Sequence, residues 1–228
     1  MDGFLLTLSA HVVLWFFVGG FVAALLILLS FGRRRKPKAR PQLKLSPPGL
    51  HLRVTDLQAC SLKVFYSLLF KRYTGSAPKP QYSAETRALM RRGSEIHIKL
   101  QSDWRLEGAE QFVRWDDPPI LGRIDGKLGD VVYEIKSVKG IAGITEPKPS
   151  HIVQVNTYLG MLSLREAVLV YVDQDTGERR EFRHRFSETL FEMTLRRARG
   201  IWESFLEEVP PDPEPNPKEC GECPFKAY

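Results

Sequence analysis

Hydrophobic positions come first as one unbroken block and then in two alternating rhythms. From Gly3 to Gly32 the chain reads GFLLTLSAHVVLWFFVGGFVAALLILLSFG, with no Asp, Glu, Lys or Arg and a single histidine, His11. About 20 apolar residues in helical form cross a bilayer, so the block predicts a transmembrane helix. A cleaved signal peptide would need a basic start, a shorter apolar run and a small-residue cleavage site. Here the start carries Asp2, and the block runs straight into RRRKPKAR. Prolines and basic residues then make KPKARPQLKLSPPGL a linker. A 3.6-residue period follows. With Thr55 as N-cap, TDLQACSLKVFYSLLFKRY puts Leu57, Cys60, Val64 and Leu68 on one helical face. Ser83 caps a second helix, AETRALMRRGSEIHIKLQSDWRLEG, with Leu89, Gly93, Ile96 or His97, and Leu100 along one side.

After Gly108 the period shifts to two. EQFVRWD, PILGRIDGKL and GDVVYEIKS read as three short strands in a meander. A helix over Ser150 to Leu164 comes next, then AVLVYVD as a strand, QDTG as a turn and ERREFRHRF as another strand. Ser187 opens a last amphipathic helix, ETLFEMTLRRARGIWESFLEE, before the proline-rich tract PPDPEPNP. This order predicts an α/β domain with a mixed sheet covered by helices on its faces. The expected layout is an anchor over 1–32, a linker over 33–54, a folded domain over 55–209 and a cysteine-bearing tail over 210–228.

Charge changes this picture less than its total suggests. The net charge is +6, but residues 1–40 hold six basic side chains and one acidic, a balance of +5 that leaves +1 for the rest. Basic residues beside a spanning helix stay on the cytoplasmic side, so the run fixes an N-terminus-out topology with the domain in the cytoplasm. Bulk charge therefore gives no support for nucleic-acid binding, which has to come from a site. In a reducing compartment the three cysteines read as metal-binding, redox-active or buried, and not as structural disulfides. No phosphate-binding loop is present: GRIDGKLGD lacks its glycine spacing and has Leu128 where Ser or Thr is needed.

The chemistry concentrates in GRIDGKLGDVVYEIKS. Glu134 and Lys136 sit two apart on a strand and share a face, with Ile135 directed to the other. If the strands pair through the GKLGD turn, Asp125 approaches Glu134. Two such carboxylates suit a hard divalent cation, Mg²⁺ or Mn²⁺, and a lysine beside them completes a hydrolytic pair for a phosphodiester. The same pattern also fits a solvated ion pair next to a turn aspartate; Asp130 belongs to that turn. His97 lies on the preceding helix, and HIVQVNTY puts His151, Gln154 and Tyr158 on one face of the next.

The series RGSEIH, GRID, EIK and QVNTY resembles the active-site sequence of the PD-(D/E)XK nuclease superfamily, especially its RecB-like branch, over roughly residues 55–228. The resemblance implies a restriction-endonuclease-like fold and a DNA substrate, as single strands or duplex ends. It implies His97, Asp125, Glu134 and the Ile135 carbonyl as ligands of Mg²⁺ or Mn²⁺, Lys136 as the catalytic lysine, and Gln154 and Tyr158 as its helical partners. CRISPR-associated iron-sulfur exonucleases of this branch hold a 4Fe-4S cluster with one early and three late cysteines. Cys60 and the pair Cys220 and Cys223 in CGECPF match three of the four, the fourth being absent. That likeness also implies CRISPR adaptation or repair proteins as partners. The residues by themselves leave a zinc half-site, a redox pair and a noncatalytic DNA-binding scaffold open.

Overall fold

Two sheets, where one was expected, carry the strands. The computed structural model describes residues 49–78, 81–214, 220–221 and 223–225. The apolar block and its expected transmembrane helix lie outside them; among the described residues no helix is long and apolar enough to cross a membrane. A three-stranded sheet is ordered β1 (Leu52–Arg53), β3 (Ile120–Arg123), β2 (Phe112–Trp115). A four-stranded sheet is ordered β4 (Gly126–Leu128), β5 (Val131–Val138), β6 (Glu166–Asp173), β7 (Arg179–Arg185). Each is mixed, with β1 parallel to β3 and β5 parallel to β6. The helices are α1 (Ser61–Thr74), α2 (Ala84–Asp103), α3 (Pro149–Leu162) and α4 (Glu188–Glu207).

The larger sheet is covered on both faces, and its strands show why. In β6 every residue from Ala167 to Asp173 is buried, the continuous pattern of a strand sandwiched between helix layers. Leu169 and Tyr171 join the cluster that contains Val155, Trp202 and Phe205 from α3 and α4. Val168, Val170 and Val172 face the other way, with Ile135 and with Leu100 from α2. β7, RREFRHR, alternates exposed and half-buried positions as an edge strand does, its charges discouraging further pairing.

Two helix starts follow the sequence closely. Ser83 Oγ accepts from the Thr86 N–H at 3.1 Å, and Ser187 Oγ from the Leu190 N–H at 3.3 Å. The first helix differs. Val54–Gln58 forms a 3₁₀ turn, α1 begins only at Ser61, and Cys60 takes the N-cap position instead of a place on the apolar face. Asp56 closes that turn by accepting from the Arg53 N–H at 3.0 Å and its guanidinium at 2.7 Å. Arg197 then donates to the carbonyls of Leu57 at 3.1 Å and Ala59 at 2.8 Å, capturing groups that a continuous helix would bond internally.

The expected meander is also corrected. The run PILGRIDGKL divides into β3 and β4, which belong to different sheets, with Ile124 and Asp125 between them. Gly126 has φ 155°, a backbone angle open to glycine, and Glu107 and Lys127 exchange backbone bonds of 2.8 and 3.0 Å that steer β4 away. The break places Asp125 where the two sheets meet.

Candidate active site

The β4–β5 hairpin sets the register of the site. Gly126 pairs with Tyr133, so Asp125, one residue before β4, stands opposite Glu134, and β4 supplies no partner to β5 beyond that point. Asp125 Oδ2 fills the gap, accepting from the Ile135 N–H at 2.7 Å. In an extended strand the N–H and C=O of one residue lie on the same side, so the Ile135 carbonyl faces the same open edge. Across it, His97 Nδ1 lies 3.4 Å from Asp125 Oδ1. Burial alone would lower the His97 pKa, but its hydrogen bond to Asp125, together with the charges of Asp125 and Glu134, outweighs that and raises it.

On the α3 side a polar chain fixes Lys136. Its Nζ donates to Glu134 Oε1 at 2.7 Å and to Gln154 Oε1 at 2.8 Å. Gln154 Nε2 donates in turn to Glu134 Oε1 at 2.8 Å and to Tyr158 Oη at 3.1 Å, and Tyr158 donates to the Arg123 carbonyl at 3.0 Å. Burial and the nearby Glu134 push the Tyr158 phenol well above its usual range, so it remains a donor. The i, i+4 spacing of Gln154 and Tyr158 on α3 builds this chain from one helical face. His151 leaves it: Nδ1 lies 2.7 Å from Tyr171 Oη, and burial, with Lys136 and Lys148 nearby, pulls its pKa down to about 4.

Gly122, in the GRID stretch, makes the room. A methyl there would stand 2.5 Å from Tyr158 Cε1 and 2.8 Å from Val54 Cγ2. Gly122→Ala is expected to lower stability by about 2 kcal/mol, the usual cost of overpacking a filled core, and to displace Tyr158 from its chain. Urea denaturation read alongside activity checks this.

One oxygen in this network is stranded. Glu134 Oε2 is buried without a hydrogen-bond partner. Burial, opposed by the Lys136 charge and reinforced by Asp125, raises the Glu134 pKa from 4.5 to about 7. The folded state thus holds the proton more tightly than the unfolded chain. That contribution is complete below the unfolded value and is lost as pH rises through about 7. Chelator-treated protein is expected to melt at progressively lower temperature from about pH 5 to about pH 8, and Glu134→Gln to flatten that slope. Thermal melts across the pH series provide the check.

The chemistry of the donors fits a hard cation. Glu134 Oε2, Asp125 Oδ1, the Ile135 carbonyl and His97 are three oxygens and one imidazole nitrogen, donor types suited to Mg²⁺ or Mn²⁺. Among the described residues no group of three or more His, Cys, Asp or Glu side chains is placed to hold a metal ion. Asp125 Oδ2 is engaged by Ile135 and Oδ1 faces His97 Nδ1, while Glu134 Oε1 is engaged by Lys136 and Gln154.

Sequence reasoning missed Gln101. Its Nε2 donates to the Asp125 carbonyl at 2.9 Å and to Glu110 Oε1 at 2.9 Å, buttressing the backbone that presents the carboxylate. The signal was its place four residues after His97, on the same face of α2.

The cysteines are a separate matter. Cys60, Cys220 and Cys223 are free thiols, with Cys220 exposed and the other two half-buried. The tail returns to α1 by other means. Phe225 is buried, its ring 6.0 Å from that of Tyr66 and 5.4 Å from that of Phe70. Glu214 accepts from the Ser61 N–H at 3.3 Å and from Arg197 at 2.6 Å. A carboxylate at the N-terminus of α1 suits the helix dipole. Three thiols do not supply the four thiolates of a cluster shell, and no chemical step is assigned to one.

No protein-family model and no curated protein sequence matches the chain. Solved structures do. An alkaline exonuclease from Laribacter hongkongensis superposes with a TM-score of 0.57 at 16% identity, covering 70% of this chain and 89% of that one. A protein known as SSO0001 gives 0.55 at 21% identity, covering 81% and 87%. A phage-related exonuclease from Haemophilus somnus gives 0.53 at 11% identity, covering 70% and 96%. At such identities the likeness concerns architecture, and the chain has the PD-(D/E)XK-like fold found in phage-related and alkaline exonucleases.

Proposed function

We propose that the chain is a membrane-tethered, divalent-cation-dependent deoxyribonuclease that acts on DNA ends. The observation that carries this reading is the stranded Glu134 Oε2, on a carboxylate whose other oxygen accepts from a lysine held by two acceptors. A buried carboxylate oxygen without a partner is costly unless it takes a proton or a cation. His97, Asp125, Glu134 and the Ile135 carbonyl would hold Mg²⁺ or Mn²⁺, which when bound supplies Lewis-acid polarisation of the phosphodiester.

The side chains have distinct duties. A lysine ammonium has three protons, and Lys136 commits two, to Glu134 and Gln154. The third is left to orient the attacking water, while the charge offsets that of the phosphate. Gln154 uses both amide protons and its oxygen within the chain, so it locks Lys136 against rotation. Tyr158 anchors that lock to the backbone of β3. Residues 3–32 and the basic run behind them support a single-pass anchor with the nuclease domain in the cytoplasm. DNA as substrate is supported by the shared fold, one related structure being that alkaline exonuclease in complex with dAMP.

The test is release of nucleotides from end-labelled linear DNA and from covalently closed circles, with Mn²⁺ or with chelator. Release from linear DNA alone, stopped by chelator, is expected. DNA binding without turnover would instead mark a noncatalytic scaffold.

A further inference from the structure

We propose that His151 is a further substrate contact of the nuclease site. Its Nε2–H, one helical turn ahead of Gln154 on α3, donates to the phosphate adjoining the scissile one, with the Lys148 ammonium beside it. This rests on the nuclease reading and adds to it a residue that the lysine chain leaves out.

Tyr171 fixes which ring nitrogen of His151 carries the proton. The tyrosine is 0% exposed, and its Oη accepts from the Lys148 N–H at 3.0 Å. A buried hydroxyl also needs an acceptor for its own proton. Among the described residues His151 Nδ1, 2.7 Å away, is the group that offers it a lone pair. Nδ1 therefore accepts. Burial, with Lys136 and Lys148 nearby, keeps the ring neutral at pH 7. A neutral imidazole whose Nδ1 accepts carries its hydrogen on Nε2.

That Nε2–H has no internal use. His151 is half-buried and makes no other hydrogen bond among the described residues, and Nε2 is not one of the buried atoms left unpaired. A nitrogen that is neither bonded nor sealed in opens to solvent. Residues 151 and 154 share a face of α3, about 5 Å apart along its axis. Gln154 holds Lys136 at 2.8 Å. The donor thus stands beside the catalytic lysine without belonging to its chain.

The surroundings select an anion. The charges that bear on His151 are the ammoniums of Lys136 and Lys148, and no carboxylate is among them. Lys136 is already matched by Glu134 at 2.7 Å. Lys148 is exposed, and among the described residues its ammonium has neither an ion pair nor a hydrogen bond. A neutral N–H next to an unmatched ammonium suits a phosphodiester oxygen, the kind of contact that positions a strand. Since the phosphate at Lys136 is the scissile one, a phosphate held one turn away along α3 is its neighbour.

Two variants of the full chain separate the ring nitrogens. Asn places an oxygen near Nδ1 and can still accept from Tyr171, but it has nothing at Nε2. Gln places its amide near Nε2 and leaves Tyr171 without its acceptor. His151→Asn is expected to melt as wild type and to lose about 10- to 100-fold in kcat/KM on linear DNA with Mn²⁺, the scale of one hydrogen bond to a charged group. His151→Gln is expected to melt lower and to recover most of that rate. The contact is then located on the substrate, using DNA with a neutral methylphosphonate at the linkage next to the end one, or an end without its phosphate. On one of the two, wild type falls and His151→Asn falls little further, because both changes delete the same contact. Activity that follows the melting temperature, with Asn active and Gln not, makes His151 a structural partner of Tyr171 and overturns the proposal. An equal penalty for His151→Asn on all three substrates overturns it too. Absence of release by wild type from every DNA overturns the nuclease reading itself.

Discussion

Lys136→Met is expected to cut DNA hydrolysis by about 10²- to 10³-fold, the scale seen when one preorganised electrostatic contact to a transition state is removed. The methionine stem fills the volume of the lysine stem, so packing beside Gln154 survives. What changes is charge. Lys136 is the largest influence holding the Glu134 pKa down, so its loss pushes that carboxyl further up, and Glu134 stays protonated and neutral at pH 7. The variant should therefore fold as wild type while failing to turn over. Steady-state rates read beside thermal melts at pH 7 separate the two effects. A variant that melts far lower would show that Lys136 serves chiefly as a structural partner of Glu134.

Asp125→Asn should lower activity roughly 10³-fold or more, since it removes a full negative charge from the cation edge. The amide oxygen can still accept from the Ile135 N–H, now bonded to Asp125 Oδ2 at 2.7 Å, so the hairpin register holds. The diagnostic readout is thermal. In wild type, Mn²⁺ should replace the proton on Glu134 and raise the melting temperature at pH 8, by the linkage that stabilises any state binding a ligand. In the variant that rise should vanish while the metal-free melt is nearly unchanged. If Asp125→Asn keeps the full Mn²⁺ response, the cation does not sit on this edge.

The placement of the candidate residues was legible in the sequence because local rules determine it. Two-residue alternation puts Glu134 and Lys136 on one face and Ile135 on the other, and the short GKLGD turn brings Asp125 opposite Glu134. Helical spacing puts Gln154 and Tyr158 on one face of α3. None of this needs distant contacts. His151 obeyed the same spacing yet turned to Tyr171, because that phenol, on the strand that follows the helix and packs against it, offered a buried partner.

The departures all involve long-range partners. Cys60 left the helical face because Arg197, far along the chain on α4, captures the Leu57 and Ala59 carbonyls. The single strand read in PILGRIDGKL split because backbone bonds from Glu107 draw Lys127 into a different sheet from Ile120. Leu52 and Arg53 make too short a strand for alternation to show, and their pairing with Ile120 and Leu121 is settled by burial. The tail packs against α1 through Phe225 and Glu214, residues that no motif or periodicity singles out. Periodicity reports which face a residue takes, and it is silent on which distant group will meet it there.

A cation-dependent nuclease built on Asp125, Glu134 and Lys136 should reveal itself in one time course. Full-length wild type and Lys136→Met, purified identically, are incubated with end-labelled linear DNA and Mn²⁺, and released nucleotides are counted. Steady release by wild type, halted by chelator and lost in the variant, is expected of such an enzyme. Equal release by the two proteins, or none by either, contradicts it.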